Sequence, residues 1–308
     1  MTVGKAIDRY ISEKTGTLSP STIQGYKVIR RNYLQDIMND DLYDLSQSYI
    51  QLAVSQEVVK GRSPKTIRNA HGLLAAVLNE FRPDFVLKTR LPQKEQYEAR
   101  IFTEEELLKV LKVAEGGAWE LPILMGCWLG LRMSEIRGLR YGDFKDGMLH
   151  IHTAVVNGPD GSVEKGPKTT AGDRWIKVPE RIQKLVEKRK ATTGANDYSS
   201  IFPLAANTIW RNFVYLCNRA GVEPCRFHDL RHFAASEALA LGIPDKYTMK
   251  RMGHKTDHML KNVYQHTMRN KEDQFANLID EKMEKLFESG HENGHTDDSE
   301  QQIKASEG

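Results

Sequence analysis

The chain has few cysteines and no long apolar segment. Its three cysteines are Cys127, Cys217 and Cys225, and their spacing matches neither a metal site nor a disulfide framework, so we expect buried or semi-buried free thiols. No run of about 18 apolar residues is present, and the N-terminus lacks the apolar core of a signal peptide. We therefore expect a cytoplasmic protein with no membrane partner.

Basic residues outnumber acidic ones along most of the chain, and acidic residues are densest at its end. Residues 271–308 carry four Lys/Arg and eleven Asp/Glu, a net charge of −7, whereas residues 1–270 carry 40 basic and 30 acidic side chains, a net charge of +10. A basic body with an acidic tail fits a polyanionic partner, although a solvated surface without a partner would have the same composition. The apolar content of 40% predicts packed domains rather than disorder.

The first 81 residues have the pattern of a helical domain. A Ser-Pro-x-Thr-Ile sequence occurs at 19–23 and again at 63–67, where serine suits the cap and proline the first turn of a helix. We expect helices at 3–13, from 20 onward, at 45–59 and from 64 to about 81. Residues 82–101 contain two prolines and no periodicity, so they are expected to link two domains.

Residues 102–270 are expected to form a second domain that is mainly α with a small antiparallel β-sheet (α+β). Thr103 and Glu106 form a capping-box pattern that begins its first helix. An apolar helix over 119–131 is expected to carry Arg132 at its C-terminal end. Alternation between 147 and 178, punctuated by glycines, predicts three strands and two hairpin turns. Further helices are expected at 180–190, 207–220, 226–241, 245–252 and 257–264.

Arginines, histidines and a tyrosine recur in this second domain. Residues 130–135 read G-L-R-M-S-E, residues 228–232 read H-D-L-R-H, His254 follows a glycine, and Tyr264 lies ten residues further on. A guanidinium fork fits paired phosphate oxygens, a histidine moves a proton near neutral pH, and a tyrosine hydroxyl can attack phosphorus. The combination favours a phosphodiester as the substrate.

This ordered set resembles the motif of the tyrosine recombinase (phage integrase) family. In the order of that motif, the matching residues are Arg132, Lys168, His228, Arg231, His254 and Tyr264. The resemblance implies a core-binding domain (1–81) followed by a catalytic domain, in a bacterial mobile-element integrase that integrates or excises DNA. It further implies duplex DNA attachment sites and a homo-tetramer as partners, and it allows an excisionase or a DNA-bending protein.

The same resemblance implies a role for each residue of the motif. The two arginines hold the scissile phosphate, and Tyr264 attacks it to give a 3′-phosphotyrosyl link. Lys168 protonates the leaving 5′ oxygen, His228 takes the tyrosine proton, and His254 bonds the phosphate. Glu135 is expected to orient the first arginine, three residues before it. Because the bond energy is retained in the covalent link, no ATP, metal ion or other cofactor is expected.

Seven basic residues of the first domain are candidate contacts to DNA phosphates. They are Lys27, Arg30, Arg31, Lys60, Arg62, Lys65 and Arg68. Taken singly, each also fits an ordinary solvated surface charge. These seven residues are therefore a hypothesis that follows from the family resemblance rather than from their own pattern.

The C-terminal residues divide into an apolar stripe and an acidic tail. Phe275, Leu278, Ile279, Met283 and Leu286 predict an amphipathic helix over 271–287. Such a helix can pack within its own chain, and the resemblance assigns it to docking on a neighbouring subunit. Residues 288–308 are polar and acidic, and they are expected to be disordered.

Several alternatives remain beside this assignment. Lys165 or Lys177 can replace Lys168 as the general acid, and Tyr247 is the nearest rival tyrosine. Residues 161–169 nearly match a P-loop, but a proline interrupts the motif within predicted hairpin strands. His228 and His232 have the spacing of zinc ligands but lack a third ligand. A type IB topoisomerase, or an integrase that binds DNA without cleaving it, shares parts of the pattern.

Overall fold

The structure is a computed structural model that describes residues 1–94, 100–167, 170–253 and 280–281. Four helices form the N-terminal part: α1 (Val3–Lys14), α2 (Pro20–Asn32), α3 (Gln47–Val59) and α4 (Pro64–Phe81). Their apolar faces enclose one buried cluster, to which Ile7, Ile23, Ile50 and Leu74 belong. The four helices expected from the sequence are confirmed, with ends that differ by one or two residues.

The two Ser-Pro patterns begin helices in different ways. Ser63 caps α4, because its hydroxyl accepts a hydrogen bond from the backbone N–H of Thr66 at 3.3 Å. Ser19 precedes α2 but makes no such bond, and its Oγ lies 3.0 Å from that of Ser21. Proline in the first turn is common to both, since its fixed φ suits a helix and its missing N–H needs no partner there.

Helices and short strands alternate in the larger C-terminal part. In chain order they are α5 (Glu104–Ala114), α6 (Glu120–Cys127), α7 (Met133–Gly138), β1 (Phe144–Lys145), β2 (Met148–Ile151), β3 (Ala154–Gly158), β4 (Gly161–Lys165), β5 (Arg174–Lys177), α8 (Glu180–Thr193), α9 (Ala206–Arg219), α10 (Asp229–Ala240) and α11 (Asp245–Met252). A second buried cluster lies among these elements and includes the three free cysteines. The α+β class and the buried thiols are therefore confirmed.

Within the described ranges, the strands form two separate antiparallel sheets. One has the order β1-β2-β5, with His150 opposite Trp175, and the other is the hairpin of β3 and β4. The prediction of a single three-stranded sheet was therefore incomplete. The hairpin is inserted between β2 and β5, and pairing between strands so far apart in the sequence cannot be detected from local alternation.

The position of Arg132 differs from the prediction. Helix α6 ends at Cys127, and Gly130 follows with a φ of +68°. Because a left-handed residue ends a helix, Arg132 does not extend α6 and instead occupies the N-cap position of α7. The expectation that an apolar helix delivers this arginine at its C-terminal end was wrong.

The two parts of the molecule meet where α2 lies against the β3–β4 hairpin. The Nζ of Lys165 donates to Ser19 Oγ at 3.3 Å, and Gly158 approaches the ring of Pro20. Residues 82–94 contain no helix or strand, yet Phe85 and Leu87 pack on the N-terminal cluster. No helix in the described ranges has the length and apolar character needed to cross a membrane.

Candidate active site

Arg132 and Glu135 form the ion pair expected from their spacing. The Arg132 Nη1 donates to Glu135 Oε1 at 2.7 Å, and the backbone N–H of Arg132 donates to Glu135 Oε2 at 2.9 Å. Glu135 is buried, whereas the Arg132 side chain keeps 35% of its surface exposed. The carboxylate therefore fixes the orientation of a guanidinium that remains accessible.

Arg231 lies beneath this pair and is almost fully enclosed. Its residue exposure is 2%, its Nη1 donates to the carbonyl of Gly130, and its Nη2 donates to the carbonyl of Met252 at 2.5 Å. Its Nη1 also lies 4.0 Å from Glu135 Oε2. Burial, together with the positive charge of Arg132, lowers the pKa of Arg231 to about 9.

A third arginine, Arg174, lies beside Arg132, Arg231 and Glu135. The sequence did not identify it as a site residue. Arg174 donates from Nη1 and Nη2 to the two oxygens of Glu135, at 3.2 and 3.1 Å. Only its inward orientation was detectable from the sequence, because side chains alternate along β5: Arg174 faces the core on the same side as Ile176, whereas Trp175 and Lys177 face outward. We call Arg132, Arg174, Arg231 and Glu135 the arginine cluster.

The arginine cluster carries more positive than negative charge. Three guanidiniums surround one carboxylate, a net charge of +2 for these four residues. Burial by itself raises the pKa of Glu135, but the adjacent charges of Arg174 and Arg132 outweigh burial, and the pKa is lowered. The carboxylate is thus ionised at neutral pH, and the remaining positive charge is complementary to an anion.

His228 lies at the N-cap position of α10, three residues before Arg231. Burial, the neighbouring His232 and the charge of Arg231 lower its pKa to about 4. The imidazole is therefore neutral near pH 7 and is able to accept a proton. The rings of His228 and His232 meet edge to face at 5.2 Å, and His232 Nε2 lies 3.9 Å from the buried Asp229.

A cavity of about 400 Å³ opens beside the arginine cluster. Arg132, Glu135, Lys165 and Gly253 line it, together with Pro167. Lys165, one alternative to Lys168 as the general acid, therefore faces the cavity. The other alternative, Lys177, is exposed on the opposite face of the sheet from Arg174 and does not line the cavity.

The end of α11 forms one wall of the cavity. Gly253 has a φ of +64° and closes the helix, and a Cβ atom there would lie 2.7 Å from Arg174 Nη1 and 2.8 Å from the carbonyl of Ala171. Glycine is therefore required both by the backbone conformation and by the close packing. Lys168, His254 and Tyr264 lie outside the described residues, as do the predicted helix at 257–264, the acidic tail and most of the predicted helix at 271–287.

The candidate DNA contacts of the N-terminal helices fall into two groups. Arg30 bonds the carbonyl of Gly4 and the carboxylate of Asp8, and both donors of the Arg68 fork reach the carbonyl of Pro92. These two guanidiniums stabilise the local structure. The other five candidates are exposed, although two of them also form ion pairs: Lys27, Arg31, Lys60, Arg62 and Lys65.

The local structure argues against the P-loop alternative. Residues 161–165 form β4 of a hairpin, whereas a P-loop connects a strand to a helix. Among the residues with described positions, no three His, Cys, Asp or Glu side chains cluster as metal ligands would.

Comparisons with known proteins identify the family of the chain. The phage integrase family profile matches residues 100–271. The chain is 24% identical over 295 residues to a tyrosine recombinase XerC-like protein of Caldanaerobacter subterraneus subsp. tengcongensis, covering 81% of this chain and 75% of the relative. Its fold is similar to that of the Tn1549 transposon integrase in complex with transposon right end DNA, with a TM-score of 0.71 at 21% identity, covering 90% of this chain and 100% of the other.

A lambda integrase tetramer bound to a Holliday junction has the same fold, with a TM-score of 0.62 at 20% identity and coverage of 85% of this chain and 77% of the other. The family match extends over more than half of the chain and contains every residue of the arginine cluster. The motif, the fold and the family match therefore agree: the chain belongs to the phage integrase family and is a tyrosine recombinase of the integrase type.

Proposed function

We propose that this protein is a mobile-element integrase that cleaves and rejoins duplex DNA at specific sites through a 3′-phosphotyrosyl intermediate. The observation that carries the proposal is the arginine cluster, whose net charge of +2 lies beside an open cavity. A phosphodiester is the anion in DNA that fits guanidinium donors held in this way.

Arg132 and Arg231 stabilise the charge that develops on the scissile phosphate. Arg132 is the accessible member of the pair, and its orientation is fixed by Glu135 before DNA arrives. Arg231 adds a buried charge that lacks the screening of bulk water. Because both charges are held in place in advance, little reorganisation is needed in the transition state.

Tyr264 is the proposed nucleophile. Its Oη forms a bond to phosphorus as the bond from phosphorus to the 5′ oxygen breaks. The tyrosine proton passes to His228, whose low pKa keeps the imidazole neutral beforehand, and Lys168 gives a proton to the 5′ oxygen. His254 bonds a phosphate oxygen. The 5′-hydroxyl of a partner strand then reverses the attack, so that no ATP, metal ion or other cofactor enters the balance.

The helix predicted at 271–287 is proposed to dock on a second copy of the chain. An apolar groove of about 880 Å³ runs between α5, α6, α10 and α11, and exposed Leu108, Trp128 and Leu241 line it. Exposure of such apolar side chains to water is unfavourable. The stripe predicted at 271–287 is apolar like the groove, so contact between the two would remove both from water. Subunits linked through this contact would build the tetramer on paired attachment sites.

The proposed chemistry is tested with nicked duplexes that carry candidate attachment sites and trap the covalent product. The experiment is run in EDTA with the wild-type protein, with Tyr264→Phe, and with Tyr247→Phe as the matched control for the rival tyrosine. The proposal expects a protein–DNA adduct that survives denaturation in the wild type and Tyr247→Phe and is absent from Tyr264→Phe. Binding without any adduct would instead identify a non-catalytic DNA-binding protein. Cleavage followed only by relaxation of supercoils, without strand exchange between two sites, would favour a topoisomerase.

A further inference from the structure

Arg174 has the contacts of a residue that organises the site without binding the substrate. It is 5% exposed, and four hydrogen bonds engage its three nitrogens. A guanidinium has five N–H donors, so most of its capacity is already used within the protein. Arg132, by contrast, keeps about a third of its side chain open to the cavity.

The partners of Arg174 belong to three segments that flank the residues of the family motif. It binds both carboxylate oxygens of Glu135, the residue that orients Arg132. It also donates to the carbonyl of Gly172, in the turn that follows Lys168, and to the carbonyl of Arg251, three residues before His254. One buried side chain therefore joins strand β5 to three parts of the site.

The strongest of these links is the one to Glu135. Two hydrogen bonds between opposite charges, at 3.2 and 3.1 Å, hold the carboxylate in a single plane. The same Glu135 Oε1 accepts the 2.7 Å bond from Arg132. Any rotation of the carboxylate would therefore move the Arg132 guanidinium, and a displacement of about 1 Å at a reacting centre can cost roughly 10²-fold in rate.

The alternative is that Arg174 only stabilises the fold. Arg189 also anchors local structure, because its Nε donates to the carbonyl of Ile201 at 3.1 Å and its guanidinium lies over the Phe202 ring. Neither of these contacts joins Arg189 to the arginine cluster. If Arg174 only stabilised the fold, Arg174→Lys would lower the thermal stability, but the folded variant would cleave at the wild-type rate, as Arg189→Lys is expected to do.

We infer that Arg174 is a positioning residue for DNA cleavage, acting through Glu135 to set the Arg132 guanidinium against the scissile phosphate. The inference rests on the proposed function. A lysine at position 174 keeps the charge but presents one ammonium group, which cannot bind both oxygens of Glu135 in the geometry of a fork. Arg174→Lys should therefore leave Arg132 charged but poorly oriented.

The test compares wild type, Arg174→Lys and the matched control Arg189→Lys in single-turnover cleavage of a nicked attachment-site duplex at saturating protein. Arg174→Lys should reduce the cleavage rate about 10²-fold, with the Kd for the duplex within about twofold of wild type and the control cleaving at the wild-type rate. Glu135→Gln should slow cleavage to a similar extent, and the double variant should be no slower than either single variant, because both changes disturb one unit.

A duplex with sulfur in place of the bridging 5′ oxygen separates two routes of action. A thiolate leaves without being protonated, so this substrate does not need the general acid. The deficit of Arg174→Lys should persist with it, because Arg132 acts on the phosphate and not on the leaving group. Full recovery would overturn the route through Glu135 in favour of one through the turn that follows Lys168.

Other outcomes also decide the question. Wild-type cleavage by Arg174→Lys would overturn this inference alone, as would equal losses in Arg174→Lys and Arg189→Lys. Absence of an adduct from the wild-type protein would overturn the proposed function and this inference together. If Arg174→Lys unfolds below the assay temperature, Arg174→Gln combined with Glu135→Gln removes both buried charges at once and should show the same rate deficit with unchanged Kd.

Discussion

Arg132 donates a hydrogen bond from Nη2 to the backbone carbonyl of Gly253 at 3.1 Å, although the two residues are 121 positions apart. The bond joins the first arginine of the motif to the residue directly before His254. Two similar bonds lie beside it: the carbonyls of Arg251 and Met252 also accept hydrogen bonds from arginines of the cluster. Helix ends leave carbonyls without intrahelical partners and carry a partial negative charge, so cations stabilise them well.

We predict that Gly253→Ala damages both stability and cleavage, because the new Cβ would collide with Arg174 and with the carbonyl of Ala171. Gly194→Ala is the matched control: Gly194 also closes a helix with positive φ, but a Cβ there meets nothing within 4 Å. The control should lose about 1–2 kcal/mol, the usual cost of a left-handed alanine, and should cleave normally. Thermal unfolding and adduct formation measure both effects, and similar results for the two variants would contradict the prediction.

We predict that Arg231→Lys abolishes practical cleavage while DNA binding is largely retained. One ammonium group cannot replace two NH₂ donors that face the carbonyls of Gly130 and Met252, and loss of a positioned donor costs about 10²–10³-fold in rate. With 2% exposure, Arg231 contributes little to the affinity for the DNA surface. Adduct yield measures the loss of cleavage, and gel-shift titration measures the affinity for DNA. A loss of binding as large as the loss of cleavage would count against the catalytic role.

The pH dependence of cleavage should follow the lowered pKa of His228. Since its pKa is about 4 in the folded protein, the imidazole stays neutral and able to accept a proton well below pH 6.5. At subsaturating protein, the cleavage rate reports the free enzyme, so its acid limb should have a midpoint far below 6.5. A midpoint near 6.5 in the wild type would show that His228 is not the base or is not buried in this way.

The same pKa has a consequence for stability, with a defined sign. The unfolded chain, in which histidine has a pKa near 6.5, binds a proton at His228 that the folded chain does not bind until about pH 4. The contribution of this residue to stability is therefore complete above pH 6.5 and declines as the pH falls from 6.5 to 4. His228→Asn should show a smaller fall in Tm across this window than wild type, and identical falls would contradict the assignment.

Local sequence signals predicted the helices well and the site only in part. The capping box at Thr103 and the prolines in the first turns of α2 and α4 determine helix starts through contacts within one turn, and such starts can be read directly from the sequence. The left-handed conformation of Gly130 was not predicted. The surrounding segment is apolar, and its composition does not show whether the helix continues through this glycine or ends before it. The error in the position of Arg132 follows from that residue.

Arg174 was missed because its importance depends on pairing between distant segments. Strand β5 pairs with β2 across the whole inserted hairpin, and only that pairing brings the arginine to Glu135. Lys165 and Lys177 looked equivalent in the sequence for the same reason, since the cavity distinguishes them only once the sheet is formed. Long-range register, rather than residue type, was the missing information.

We predict that Leu241→Lys prevents assembly on DNA with two attachment sites without weakening the binding of a single subunit. Leu241 is 76% exposed at the rim of the apolar groove, so a lysine there costs little in the monomer but places a charge where the helix of another subunit is proposed to lie. Tyr198→Lys, at a position with 84% exposure and outside the groove, is the control. Sedimentation of the protein–DNA complexes should give single-site complexes alone for Leu241→Lys and for a chain ending at residue 270, but normal assembly for the control. If Leu241→Lys assembles normally while the shortened chain does not, the terminal helix docks on a surface other than this groove.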